Sequence, residues 1–549
     1  MRLPTLLVAT LTAMTLIFPS AHADTGEGRF DQPRTGFAPA WTTLRPGNPG
    51  LDRAPIDAAL AQVERYTTAD ASGHPLFAGA VTLMAHNGEV VTQQPTGWAV
   101  RYSDGAGTEL PLGQRVPMAE DTIFDLASIS KLFTSVVVMQ QVERGRVEVD
   151  QPVSRYLPEF GVNGKESITV EQLLTHTSGL EPYLPLWQKW PDVPSRIKAV
   201  MDVAPKSTPG TTYVYSDLNL ITLGELVRRV SGLPLEDLVR TGITEPLGMT
   251  DTGYNPPAAK LDRIAATEFQ SSPGRGMIRG QVHDENAWSL GGVAGHAGVF
   301  ATARDLAVLG QTILNGGTYA GHRILRPQTV DLMLTNFNDE FPGNSHGLGF
   351  ELDQRWYMGA LAAPRSAGHT GYTGTTLVLD PASRSIAILL TNRVHPSRNW
   401  GSINPARRAV ANGLAQALAV RPQQGRDAWT PTATGATLAT GDLPGARRVA
   451  FDAFVDLDVG DSVVLQSSAD GTTWRDLKTL TGTGTRKWTQ VEVGASGSRF
   501  RWVYTRGTGY GGRGVYLDGI RISGPRGTLL DAERHPEALT ATNWRPATR

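Results

Sequence analysis

The chain has 549 residues, 40% of them hydrophobic and 19% charged, with a formal net charge of -1. That balance excludes a disordered chain and argues against a nucleic-acid or anionic-membrane partner, and the length predicts about two to four domains. Cysteine is absent, which excludes disulfides, thiolate chemistry and Cys-ligated metal.

Residues 1–23 have the pattern of a secretory signal: Arg2, an apolar run from Leu3 to Phe18, and Ala21-His22-Ala23 as a small-x-small cleavage site. The expectation is a secreted or extracytoplasmic, soluble protein cleaved after Ala23. No later stretch is apolar for long enough to span a bilayer. Residues 24–50 are polar and rich in Gly and Pro, an extended lead-in. Helical spacing follows over Pro55–Tyr66. Gly79–His86 and Glu89–Thr92 then flank Asn87-Gly88, a type I′ hairpin signal.

The first stretch with chemical content is Phe124 to Thr134, where Ser128 and Lys131 stand three residues apart before the apolar run Val136–Met139. One helical turn separates them, so both side chains share a face. Burial lowers the pKa of a lysine until it can act as a base, and a helix N-terminus favours an oxyanion on the serine. Ser-x-x-Lys also recurs by chance, as a capping serine beside a surface lysine. Farther on, Thr169 caps a short helix that Gly179 ends, and it carries His176, a structural hydrogen-bonder or a catalytic group. Residues 181–209, with Trp187 and Trp190, form local core or a cleft wall. Tyr213–Leu220 leads into a helix over Ile221–Val230, with Tyr215 just before it. Residues 250–285 read as an irregular excursion, and the glycines of Gly291–Phe300 permit close backbone approach. Thr302 opens a helix over Asp305–Leu314. Gly368–Pro381 and Ser385–Asn392 read as a hairpin whose first strand opens with His369-Thr370-Gly371, and a helix over Ala406–Ala419 closes this part of the chain.

Ser128-Ile129-Ser130-Lys131, Tyr215-Ser216-Asp217 and His369-Thr370-Gly371 occur in that order. The set resembles the three-motif signature of the serine β-lactamase and penicillin-binding DD-peptidase superfamily, in its class C-like branch, which includes family VIII-type esterases. The resemblance covers about residues 50–420. It implies an α+β fold, an antiparallel sheet flanked by helices plus an all-helical region. It implies Ser128 as the acylated nucleophile, Lys131 as proton acceptor directly or through Tyr215, and Tyr215 as proton donor to the leaving group. It places the oxyanion hole at the backbone amides of Ser128 and Tyr372. Asp217, His369, Thr370 and Gly371 become the substrate-binding residues. No metal is expected in this site. Two positions depart from the common pattern. Asp217 stands where many relatives carry Asn, and a carboxylate near Lys131 favours the ammonium. His369 replaces the lysine usual in β-lactamases, which gives less fixed charge for a substrate carboxylate.

After a Pro/Thr/Gly/Gln-rich linker at 423–436, short alternating strands recur over 448–451, 462–468, 488–493, 499–504 and 515–522, as in a β-sandwich. This stretch resembles jelly-roll modules of secreted bacterial hydrolases. The expected organisation is therefore signal peptide 1–23, lead-in 24–50, hydrolase domain 51–422, linker 423–436 and β-sandwich 437–549. Trp474 and Trp488 are sandwich core or sugar platforms, so a glycan or surface contact is one role for the module, and a structural calcium ion in it is left open. The expected activity is that of an exported serine hydrolase cleaving D-amino-acid peptides of cell-wall type, as a DD-carboxypeptidase does, with no cofactor and as a monomer. A carboxylesterase of the same fold is the alternative, and a β-lactam-binding or cell-surface-binding protein without turnover is a second.

Overall fold

Gly79–His86 and Ser385–Thr391 are apolar at nearly every position, which suits strands covered on both faces and not half-solvated ones. The computed structural model describes residues 36–482 and 486–548. The expected signal segment lies outside them. Both stretches are central strands of an eight-stranded sheet. Its strands are β1 (Arg45–Pro46), β2 (Gly79–His86), β3 (Glu89–Val100), β4 (Glu351–Leu352), β5 (Ala367–Thr370), β6 (Thr375–Asp380) and β7 (Ser385–Thr391), in the order β1-β3-β2-β7-β6-β5-β4. A two-residue strand, Val116–Pro117, pairs onto β3. All pairs are antiparallel except β1, which lies parallel to β3 at the edge and draws part of the lead-in into the sheet. Asn87 and Gly88, at φ 52° and 83°, make the β2–β3 turn with two left-handed residues, as the type I′ signal requires.

Helices cover both faces. They include α1 (Arg53–Arg65), α2 (Ser130–Glu143), α3 (Val170–Leu174), α4 (Asp217–Ser231), α5 (Glu285–Ser289), α6 (Ala303–Leu314) and α7 (Asn404–Ala417), with further helices between them. Val81, Leu83, Ile386 and Ile388 face the larger core, shared with α2, α4 and α6. Ala80, Met84, Ala387 and Leu389 face the smaller one, shared with α1 and α7. The period of two along each strand thus feeds two different cores.

Three expected boundaries shift. The stretch Gly368–Pro381 is two strands, not one, because residues 371–374 turn: Gly374 N–H donates to Gly371 O (3.0 Å) and Gly374 sits at φ +106°. The helix capped by Thr169 has its full capping box with Gln172, worth about 1 kcal/mol, but ends at Leu174 and not at Gly179. His176, at φ 60°, breaks it. The helix expected from Ile221 begins four residues earlier, at Asp217, and Gly232 ends it in the left-handed region.

The C-terminal strands form two antiparallel sheets around their own core, a β-sandwich. The strands are β8 (Ala428–Pro431), β9 (Ala436–Thr440), β10 (Arg448–Asp456), β11 (Ser462–Ser468), β12 (Arg475–Thr481), β13 (Thr489–Gly494), β14 (Arg499–Thr505), β15 (Gly514–Gly524), β16 (Gly527–Asp531), β17 (Leu539–Thr542) and β18 (Trp544–Ala547). One sheet runs β13-β10-β15-β8-β18 with β16 on β15; the other runs β12-β11-β14-β9-β17. β8 lies inside the stretch read as linker: Ala428 and Thr430 are buried, and the strand pairs with β18. The tryptophans of this core are Trp502 and Trp544. Trp474 instead lies against Arg501, whose guanidinium is 4.1 Å from the ring centroid. Trp488 packs with Phe454 and Tyr516 on the α1/α7 face and donates to Arg421 O (2.9 Å). Arg513 Nε donates to Ala415 O at the end of α7 (2.7 Å), and Arg355 pairs with Asp458 at 3.2 Å. The sandwich is therefore seated on the helix layer behind the main sheet. No helix among the described residues is long and apolar enough to cross a membrane.

Candidate active site

Ser128 lies in a single 3-10 turn, Ala127–Ile129, that runs straight into α2. Ala127 is held at φ 46°, a left-handed conformation that costs a non-glycine residue energy. The surroundings over-determine it. Asp125 accepts from Ala127 N–H (2.9 Å) and from His283 N–H (2.6 Å). Thr373 and Thr375, in the turn between β5 and β6 and at the start of β6, donate to Asp125 O (2.7 Å) and Leu126 O (2.9 Å). The serine turn is thereby strapped to the His369-Thr370-Gly371 strand. Gly371 has no room for a side chain: a Cβ there would lie 2.0 Å from Thr375 Oγ1.

Lys131 is 1% exposed, and its ammonium donates to Ser128 Oγ (2.9 Å) and His296 O (3.1 Å). The second contact depends on Gly295, where a Cβ would meet Leu220 O at 1.9 Å, so only glycine lets this loop press onto α4. Lys131 also forms an ion pair with Asp217 at 2.8 Å and lies 4.9 Å from the Tyr215 ring centroid. Burial disfavours the charged lysine, but the Asp217 carboxylate and Tyr215 outweigh it and hold its pKa above the ordinary lysine value. Burial pushes the Tyr215 phenol up to about 12, against the pull of Lys131. The neighbouring Ser128 side chain also pulls it down. Ser128, Lys131, Tyr215 and Asp217 thus converge on one ammonium.

Behind Tyr215 stands a wall of neutral histidines. His176 lies against it with ring centroids 4.6 Å apart and planes tilted by 35°, accepts from Ser216 N–H through Nδ1 (3.1 Å) and meets His346 at 5.3 Å. Burial depresses all three imidazoles: His176 well below its usual range, His346 to about 4 and His369 to about 3. His369 lines the cleft, as its motif requires. Its Nδ1–H donates to Thr370 O (2.7 Å), which leaves Nε2 as a lone pair and not as a cation.

The cleft has two arms that meet at Ser128, Tyr215, Tyr372 and Arg398. One, of about 520 Å³, is lined by His369, Thr370, Gly371, Arg393 and Arg407. The other, of about 490 Å³, is lined by Tyr183, Trp187, Asp217, His283, Asp284 and Glu285. Trp187 is therefore cleft wall. A larger cavity, about 570 Å³ and lined by Val193, Ile221 and Leu235, does not reach Ser128. Among the described residues, Asp217, Asp284 and His296 are the one group whose ligand-type atoms converge, within 4.8 Å of one another. Asp284 accepts from His296 Nε2 at 2.9 Å, and Lys131 already supplies the cation beside Asp217. No such group occurs among the described residues of the C-terminal strands.

The sequence profile of the family described as beta-lactamase matches residues 68–412. The chain belongs to the beta-lactamase family. Family membership and the Ser128–Lys131–Tyr215 cluster together make it a serine hydrolase. An Escherichia coli K12 protein carrying the provisional name D-alanyl-D-alanine carboxypeptidase is 31% identical over 370 residues, 61% of this chain and 82% of that one. A Salmonella agona protein of the same provisional name is 31% identical over 399 residues, 67% and 89% of the two chains. Among solved structures, a penicillin-binding protein homologue from Caulobacter crescentus superposes with a TM-score of 0.51 at 24% identity, covering 67% of this chain and 98% of that one. A hydrolase with promiscuous acyltransferase activity does so with 0.51 at 22%, covering 65% and 98%. Both show the fold.

Sequence reasoning brought Ser128, Lys131, Tyr215, Asp217, His369, Thr370, Gly371 and Tyr372 to one place. It missed the arginines of the cleft. Arg393 and Arg398 follow β7 directly in Asn392-Arg393-Val394-His395-Pro396-Ser397-Arg398, and that basic run after a strand end was the available signal.

Proposed function

We propose that the chain is an exported serine hydrolase that forms an acyl-enzyme on Ser128 and cleaves D-amino-acid peptides in the manner of a DD-carboxypeptidase. The observation that carries this is the Ser128 Oγ to Lys131 Nζ contact of 2.9 Å, with the Tyr215 ring 4.9 Å from the same ammonium and lining the same cleft. The provisional names of the relatives agree with it.

In the resting network Lys131 is an ammonium and Tyr215 a phenol, so the reactive form is the one that has lost a proton from this pair. Ser128 Oγ attacks the scissile carbonyl as its proton passes to Lys131, directly or by way of Tyr215. The oxyanion faces the Ser128 and Tyr372 amides; among the described residues no backbone carbonyl engages the Tyr372 N–H. Tyr215 then protonates the leaving nitrogen, the tetrahedral intermediate collapses to the ester, and the same pair takes a proton from the water that hydrolyses it. The neutral His369 favours a second reading, a carboxylesterase, because such a strand gives little fixed charge to a carboxylate.

The two readings separate on rate. Release of D-alanine from an N-acylated L-lysyl-D-alanyl-D-alanine peptide, compared with hydrolysis of a p-nitrophenyl ester, is expected to show turnover of both. Ester turnover with no D-alanine released sinks the peptidase reading and leaves the esterase.

A further inference from the structure

We propose that Arg393 is the specificity residue that receives a substrate carboxylate, on the leaving-group side of the scissile bond. This rests on the peptidase reading above, in which the leaving residue is C-terminal and carries a carboxylate.

The two arms of the cleft differ in charge. Asp217, Asp284 and Glu285 line one, which repels an anion, whereas Arg393, Arg398 and Arg407 line the other, where the one carboxyl beside them, Glu351, is raised by burial to about 7. Of the three arginines, two are already committed. Arg398 donates through Nε to Glu268 (2.7 and 2.8 Å) and through Nη2 to Glu285 (2.6 Å), so two carboxylates neutralise it. Arg407, on α7, gives Nε to Thr376 Oγ1 (3.0 Å), Nη1 to Asn404 Oδ1 (2.9 Å) and Nη2 to Gly371 O (2.8 Å). It holds the turn that presents Tyr372. Arg393 is different: its Nη1 donates to Arg398 O (2.7 Å), its guanidinium lies 4.9 Å from the Tyr372 ring centroid, and among the described residues no carboxylate is within ion-pair distance. Burial pushes its pKa down, and Tyr372 and the more distant Glu268 carboxylate offset this only in part, so a cost remains that a bound anion relieves.

Its position is fixed by the backbone. Arg393 N–H donates to Thr373 O (3.1 Å), and its stem packs over Gly374, where a Cβ would lie 2.7 Å from Arg393 Cγ. The cation is therefore built onto the turn that carries the expected oxyanion-hole amide. His369 cannot serve in its place, because its free nitrogen is a lone pair. A guanidinium with spare donors matches a carboxylate in a forked geometry.

The test is a selectivity ratio. The kcat/KM for a D-alanyl-D-alanine peptide is divided by that for its C-terminal carboxamide, in the full-length protein and in Arg393→Gln and Arg393→Lys. Fluorophosphonate labelling of Ser128 shows that each variant keeps a folded site. The ratio is expected to fall about 10- to 100-fold in Arg393→Gln, through KM, and less in Arg393→Lys. An unchanged ratio in Arg393→Gln overturns the assignment. If the full-length protein cleaves neither peptide, the peptidase reading fails by itself. The same ratio is then read on 3-carboxyphenyl against phenyl esters of one acyl group, where the same fall supports Arg393 and an unchanged ratio removes it.

Discussion

Replacing Lys131 with alanine is expected to lower kcat/KM for any acyl substrate about 10²- to 10⁴-fold, the range that one positioned acid–base group supplies. Lys131 is the only cation in direct contact with Ser128 Oγ among the described residues. Without it the serine proton has Tyr215 alone to go to, and a phenol at about 12 offers little phenolate near neutral pH. The same substitution strips Asp217 of its partner, but Asp217 faces the 490 Å³ arm, where water can replace the ammonium. The fold is therefore expected to survive. A melting curve alongside the kinetics separates the two effects: loss of rate at an unchanged melting temperature supports the role, whereas loss of both leaves it unsupported.

Asp217→Asn is expected to move the acid limb of the pH–rate profile down by about one to two pH units, and so to raise kcat/KM at neutral pH. The sign follows from the ion pair. Asp217 stabilises the Lys131 ammonium and raises the Lys131 pKa, so removing the negative charge lets that pKa fall. Asp217 also raises Tyr215, so its loss shifts the phenol in the same direction. Whichever of the two takes the serine proton, its basic form becomes more populated at a given pH. A profile that does not move, or that moves toward alkaline pH, contradicts the assignment of the base to this pair.

What the sequence made legible depended on how local each cause was. Asn87-Gly88 announces its hairpin because two left-handed residues are a property of the turn itself. The strand runs of the C-terminal sandwich are readable for the same reason, since alternation lies within each strand. The end of α3 was not readable, because His176 takes its left-handed conformation from the hydrogen bonds it makes to the Ser216 segment, forty residues away. Nor was the split between β5 and β6: Thr373 and Thr375 look like strand residues until Asp125 and Leu126 are there to accept from them. In the site, Ser128, Lys131 and Tyr215 were found by motif, and the concern over Asp217 was found by charge alone. The ion pair that realises it needed the three-dimensional approach of α4 to α2. Arg393 escaped notice because what distinguishes it from Arg398 and Arg407 is how few of its donors are taken among the described residues, which only neighbours in space reveal.

The most direct measurement is intact-protein mass spectrometry of the full-length chain and of Ser128→Ala after incubation with a penicillin, a D-alanyl-D-alanine peptide and a p-nitrophenyl ester. The acyl-enzyme account predicts that the full-length protein gains the mass of the opened penicillin, and that Ser128→Ala gains no adduct from any of the three. An adduct of equal yield on Ser128→Ala would place the nucleophile elsewhere and contradict the account.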